Sequence, residues 1–167
     1  MREGSIWWVF GKLRPSVGGW EGRLNSGASI MIRILVVDDD PLISGAISLW
    51  LEGRGYKVDT ADGAETGLRA LDVGKYDLMI VDIFMPHMRG FESVRVFHQQ
   101  APLVPLIAIS GYVFAEQRAP APDFLRMALD LGATRCLRKP FTPAVLLAAI
   151  DACLAEAADR NRLSIAR

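Results

Sequence analysis

The sequence predicts an α/β fold, a doubly wound parallel sheet in which five strands alternate with five helices. Three observations predict it. Apolar runs such as Ile34-Leu35-Val36-Val37 and Leu78-Met79-Ile80-Val81 lack polar alternation, the pattern of strands covered on both faces. The segments between such runs repeat apolar residues at helical spacing. Polar or charged residues close the strands, at the rim where open α/β sheets carry their chemistry.

The first strand is the β-branched run from Ile32 to Val37. Asp38-Asp39-Asp40-Pro41 follows, and Pro41 suits a first helical position with Asp40 as its cap. Leu42, Ala46, Leu49 and Trp50 mark the first helix, which Gly55 ends. Tyr56 to Ala61 reads as the second strand. Ala64, Leu68 and Leu71 carry the second helix, which stops near Gly74. Leu78 to Val81 forms the third strand and ends on Asp82. Phe91, Val94 and Phe97 mark the third helix. Pro105 to Ile109 contains the fourth strand, closed by Ser110-Gly111. Phe124, Ala128 and Leu131 lie on the fourth helix, with Gly132 at its end. Arg135 to Arg138 is a short fifth strand. Leu147, Ile150 and Leu154 define the last helix.

The domain is expected to span residues 31–158, with a short polar tail at 159–167. Residues 1–30 stand apart. They are rich in glycine and serine, which builds no packed unit, and are expected to be a disordered extension upstream of a natural start at Met31. The competing reading is that Trp7, Trp8 and Phe10 dock on a partner or on the domain.

Bulk composition excludes several classes. Nineteen basic and nineteen acidic residues cancel, so no net field favours nucleic acid or an anionic membrane. Cys136 and Cys153 form neither a disulfide framework nor a metal spacing, and a reducing cytosol fits them as small buried apolar residues. No apolar run approaches the roughly 20 residues of a membrane span.

The strand ends carry the chemistry. Asp38 and Asp39 are adjacent carboxylates that repel each other unless a cation or a proton intervenes. A hard divalent cation with oxygen ligands is their natural partner, and Mg²⁺ takes one or two carboxylates plus phosphate oxygens. Asp82 joins them if the first and third strands are neighbours. Ser110 and Lys139 close the fourth and fifth strands, and a hydroxyl and an ammonium suit a tetrahedral oxyanion group. Taken singly, each is an ordinary turn or surface residue. Together they describe a site that receives a phosphoryl group on a carboxylate.

Ile34-Leu35-Val36-Val37-Asp38-Asp39-Asp40, the segment Asp77 to Pro86, Ile109-Ser110-Gly111 and Leu137-Arg138-Lys139-Pro140-Phe141 resemble the receiver domain of bacterial two-component response regulators. The resemblance runs from about residue 32 to 157. It implies a flavodoxin-like (βα)5 fold with strand order 2-1-3-4-5. It also implies that Asp82 is the phosphoacceptor, that Asp39, Asp82 and the backbone carbonyl of Phe84 ligate Mg²⁺, and that Asp38 reaches the ion through water. Ser110 would bond the arriving phosphoryl group, Lys139 would pair with Asp82, and Lys139-Pro140 would be a cis peptide.

On this resemblance the chain is a cytoplasmic single-domain response regulator, a monomer or weak dimer. It would accept phosphate from a sensor histidine kinase or histidine phosphotransfer protein and signal by protein contact. Nucleic acid and membrane are not expected partners. It would not be an enzyme beyond self-catalysed phosphoryl acceptance and slow autodephosphorylation.

Three features depart from the family pattern or add to it. Cys136 stands where the family usually has an aromatic ring, so the inward swing of that ring has no equivalent here. Residues 112–122 form a long loop with two prolines, expected to be mobile and to shape partner choice. Phe84 and Tyr112 are expected to hinder water at the site. His87 and His98 read as surface residues. A phosphohydrolase would need Asp-x-Asp with a nearby hydroxyl, which neither acidic segment supplies. A nucleotide-binding fold would need a Gly-rich loop after the first strand. A phosphorylation-independent scaffold remains the alternative that Cys136 leaves open.

Overall fold

The computed structural model describes residues 31–88, 91–111 and 124–165. The elements alternate as β1 (Arg33–Val37), α1 (Pro41–Glu52), β2 (Lys57–Ala61), α2 (Ala64–Val73), β3 (Leu78–Asp82), α3 (Glu92–Gln100), β4 (Leu106–Ser110), α4 (Phe124–Asp130), β5 (Arg135–Arg138) and α5 (Pro143–Ile165). The strands form one sheet in the order β2-β1-β3-β4-β5. Every pairing is parallel. The expected doubly wound, flavodoxin-like architecture is therefore the observed one.

Side-chain alternation along the strands explains the two helical layers. Leu35, Val37, Met79, Val81, Leu106 and Ala108 face one way and pack with Leu68 of α2, Val94 and Phe97 of α3 and Ala128 of α4. Ile34, Val36, Ile80, Ile107 and Ile109 face the other way, against Ile47 and Leu51 of α1 and Leu146 and Ile150 of α5. All of these strand residues are fully buried. Each buried Val, Leu, Ile or Met side chain among them contributes about 1.5–3 kcal/mol by leaving water. Central strands buried on both faces have no polar face to alternate, which is why the sequence shows continuous apolar runs.

Local signals fix the helix ends. Asp40 caps α1, its carboxylate accepting the Leu42 N–H at 2.9 Å, with Pro41 at the first helical position. After α1 the chain turns through Gly55, at φ +87°. There Tyr56 N–H donates to Leu51 O at 3.2 Å and Gly55 N–H to Glu52 O at 2.9 Å, a Schellman-type closure. The same pair of bonds closes α4: Ala133 N–H to Ala128 O at 3.0 Å and Gly132 N–H to Leu129 O at 3.0 Å, with Gly132 at φ +107°. Thr142 begins α5, its hydroxyl accepting the Val145 N–H at 3.4 Å.

Some boundaries differ from the sequence reading. The last helix does not stop near residue 158 but continues to Ile165, so residues 159–165 are helical rather than a simple polar tail. Strong helix formers and an Asp159–Arg162 pair one turn apart, at 3.7 Å, suit that continuation. The first strand begins at Arg33 and the second at Lys57, one residue later than expected. His87 is exposed as expected, in a left-handed conformation at φ +67°. His98 is half-buried rather than a surface residue, because its ring lies against Gly132. The expectations for residues 1–30, Tyr112 and the loop 112–122 lie outside the described residues.

Candidate functional site

Asp82 is the last residue of β3, and β3 lies between β1 and β4 at the centre of the sheet. β1 runs alongside with Val37 opposite Val81, so the chain that leaves it, Asp38-Asp39-Asp40, passes beside Asp82. Carboxylate oxygens of Asp38, Asp39 and Asp82 all lie within 4.8 Å of one another. Asp38 is 1% exposed and Asp82 6%, whereas Asp39 is exposed. Adjacent aspartates therefore have different surroundings: Asp38 turns inward, Asp39 faces solvent and Asp40 caps α1.

Lys139 reaches this cluster from the end of β5. Its ammonium donates to Asp38 Oδ2 at 2.7 Å and to Asp82 Oδ2 at 2.8 Å. Its own backbone N–H donates to Ser110 O at 2.7 Å, which ties the start of the β5–α5 turn to the end of β4. The Lys139-Pro140 peptide is cis, as the resemblance implies. Asp82 Oδ1 accepts the Phe84 N–H at 3.2 Å, and Asp38 Oδ1 accepts the Asp40 N–H at 3.0 Å. Both inner carboxylates are thus fixed at one oxygen by backbone and at the other by lysine.

Electrostatics follow from the burial. Loss of water pushes the Asp82 carboxyl above its ordinary range, against the pull of the Lys139 hydrogen bond and charge and the Phe84 N–H; Asp38 adds to the rise. Burial by itself would lower the Lys139 ammonium, but hydrogen bonds and charge from Asp38 and Asp82 win and raise it. One ammonium among three carboxylates leaves the cluster negative. An all-oxygen donor set with residual negative charge at a solvent-facing rim fits a hard divalent cation. It is the kind of acidic pocket at which receiver domains typically bind Mg²⁺.

Ser110 closes β4 beside this cluster, since Ile109 stands opposite Asp82 and Ser110 itself is 6% exposed. Phe84 is half-buried and its ring tilts against Phe91, with centroids 6.2 Å apart. Cys136 is half-buried and packs on the cluster that includes Ala108, its strand neighbour. Cys153 is fully buried, and burial pushes its thiol up to about 11. Sequence reasoning missed one residue. Ser93, on α3, is fully buried, and its one hydroxyl proton is shared between the carbonyls of Asp82 and Ile83, each 3.1 Å from Oγ. A serine in the first turn of a helix is common at surfaces, so nothing local marked it.

The fold and the acidic strand ends together define a class, and comparison with known proteins agrees. The model of the response regulator receiver domain matches residues 34–151, and the chain belongs to that family. The chain is similar to a CheY-like receiver domain protein of Methanospirillum hungatei JF-1, with 31% identity and a TM-score of 0.69, over 78% of this chain and 98% of that one. It is also similar to the chemotaxis protein CheY4 of Vibrio cholerae, with 30% identity and a TM-score of 0.62, over 74% of this chain and 99% of that one. Among curated proteins, the alkaline phosphatase synthesis transcriptional regulatory protein PhoP of Bacillus subtilis is 32% identical over 123 residues, 73% of this chain and 48% of that protein. The chain spans about half the length of the curated relatives it matches. Among the described residues, no helix is long and apolar enough to cross a membrane.

Proposed function

We infer that Asp82 accepts a phosphoryl group from a phosphohistidine of a sensor kinase or phosphotransfer protein, and that the phosphorylated receiver signals through protein contact. The observation that carries this is the Asp82 carboxylate at the end of the central strand, 2.8 Å from Lys139 and within an oxygen cluster with Asp38 and Asp39. An Asp82 oxygen attacks phosphorus. The new P–O bond forms as the P–N bond breaks, and the imidazole keeps the electron pair. Lys139 holds the carboxylate and then faces the phosphoryl oxygens. The Ser110 hydroxyl bonds one of those oxygens once the group has arrived. Asp39, Asp82 and the Phe84 carbonyl would hold Mg²⁺, with Asp38 reaching it through water, and the ion would supply positive charge opposite the phosphoryl oxygens.

On this reading the chain acts as a receiver unit that turns over no separate substrate. Its domain is taken as residues 31–165, to the end of α5, its setting as cytoplasmic and its state as monomer or weak dimer. The two CheY-like neighbours are matched over nearly their whole length, which supports the single-domain reading, whereas the curated transcriptional regulators are matched over about half of theirs. Balanced charge supports protein rather than nucleic acid as the partner.

The test is incubation with acetyl phosphate and Mg²⁺, read by intact mass for wild type and Asp82→Asn. One labile phosphoryl adduct on wild type, lost in the variant, is expected. A scaffold that acts without phosphate is the second reading: Cys136, where an aromatic switch residue would stand, leaves it open, while the full acidic set argues against it. Wild type that forms no adduct would favour it over phosphoryl acceptance.

A further inference from the structure

The β3 strand loses its neighbours just where the site begins. Pairing with β1 ends at Val81, and pairing with β4 ends at Asp82. The Asp82 carbonyl therefore lies past the last pair with β1, and the Ile83 carbonyl past the last pair with β4. Buried carbonyls need a partner, and a strand end without one is loose. The Ser93 hydroxyl meets both, at 3.1 Å each, from a fully buried position in the first turn of α3.

Peptide planarity carries this contact to the site. The Ile83 carbonyl and the Phe84 N–H belong to one rigid plane. Fixing the carbonyl on one side fixes the direction of the N–H on the other, and that N–H donates to Asp82 Oδ1 at 3.2 Å. The Asp82 carbonyl and the Ile83 N–H form the preceding plane, and that N–H donates to Ile109 O at 2.9 Å. Each of the two planes is thus held at both edges, with Ser93 supplying one edge of each.

We propose that Ser93 is a positioning residue for the Asp82 carboxylate and for the Phe84 backbone. The juxtaposition is a buried hydroxyl on α3 spanning the two carbonyls that follow the last pairs of β3. It rests on the reading of Asp82 as phosphoacceptor and of the Phe84 carbonyl as a metal ligand. Ser93 touches neither phosphate nor metal. It acts through the two peptide planes, as residues behind a metal ligand commonly do.

The test compares wild type, Ser93→Ala and Ser93→Thr as the full chain. Three quantities are read: amide hydrogen exchange by NMR in metal-free protein, the dissociation constant for Mg²⁺ alone, and the rate of labelling by acetyl phosphate. Ser93→Ala should speed exchange at the Phe84 amide and weaken Mg²⁺ binding about tenfold. Exchange in the middle of β1 and α5 should stay at the wild-type rate. Ser93→Thr keeps the hydroxyl and should restore both quantities in part.

Unchanged Phe84 exchange and Mg²⁺ affinity in Ser93→Ala would overturn the proposal. So would exchange that rises equally across the whole domain, because the hydroxyl would then serve stability alone. If wild type takes no label while Ser93→Ala still frees the Phe84 amide and weakens Mg²⁺ binding, the positioning role stands and the phosphoacceptor reading fails.

Discussion

The Lys139 ammonium lies 2.8 Å from Asp82 Oδ2, joining the end of the sheet's edge strand to the end of its central one. The same ammonium bonds Asp38 at 2.7 Å, and the Asp38 side chain is fully buried. Two buried carboxylates therefore depend on one cation. Lys139→Met leaves them facing each other without it, and the loss should be about 3 kcal/mol in EDTA. Millimolar Mg²⁺ should supply positive charge to the same cluster, and much of the loss should then disappear. Urea unfolding with and without Mg²⁺ measures this. An identical loss in both conditions would show that the ion does not bind between these carboxylates.

Asp39→Asn should separate metal binding from folding. Asp39 is exposed, unlike Asp38 and Asp82, and its carboxylate completes the oxygen cluster. Asp39→Asn should shift stability in EDTA by no more than about 0.5 kcal/mol, as surface changes usually do. It should nevertheless abolish most of the stabilisation that Mg²⁺ gives wild type, which is about 2.7 kcal/mol at a hundredfold excess over the dissociation constant. Thermal melts across a Mg²⁺ series test it. A full Mg²⁺ response in the variant would remove Asp39 from the ligand set.

Gly132 has two reasons to be glycine. Its φ of +107° disfavours any side chain, and an added Cβ would lie 2.3 Å from His98 Cδ2. Gly132→Ala should cost about 1–3 kcal/mol from backbone strain alone, plus the collision. Adding His98→Ala should recover the collision and leave the strain. A double variant no more stable than Gly132→Ala would mean that the ring is not the obstacle.

Cys153 predicts a sloping alkaline limb. Burial pushes its thiol from 9.0 to about 11, so the folded chain keeps a proton that the unfolded chain has released across that interval. Stability contributed by the neutral thiol is complete below pH 9 and is lost as pH rises toward 11. The slope is about 1.4 kcal/mol per pH unit. Tyr56 and Tyr76 are also raised, mainly by burial, and add a slope of the same sign near its upper end. The readout is therefore wild type minus Cys153→Ala, by urea unfolding from pH 8 to 11. Parallel curves for the two proteins would refute it.

Local chemistry was legible in the sequence; contacts between distant segments were not. Asp40-Pro41 announced a capped helix because both the cap and the first helical residue are local requirements. The double-sided burial of β3 showed in four consecutive apolar residues, Leu78 to Val81. Gly55 and Gly132 marked helix ends because a left-handed turn needs them. His98 looked like a surface residue because its neighbour, Gly132, lies in the turn after another helix. Ser93 was silent for a similar reason: the carbonyls it meets come 11 and 10 residues earlier, across a strand end. The end of α5 was misread because a charged, solvent-facing helix and a polar tail share a composition.

Lys139 stands 101 residues after Asp38 and 57 after Asp82. A chain emerging from the ribosome presents the acidic strand ends long before the ammonium that balances them. Until β5 has joined the sheet, the carboxylates have neither their lysine nor the covering that makes them a site. Closing so long a loop comes late in folding, when local elements have already formed. The order of synthesis thus supplies Lys139 last, and a chain broken off before β5 presents its acidic strand ends without the ammonium that pairs with them.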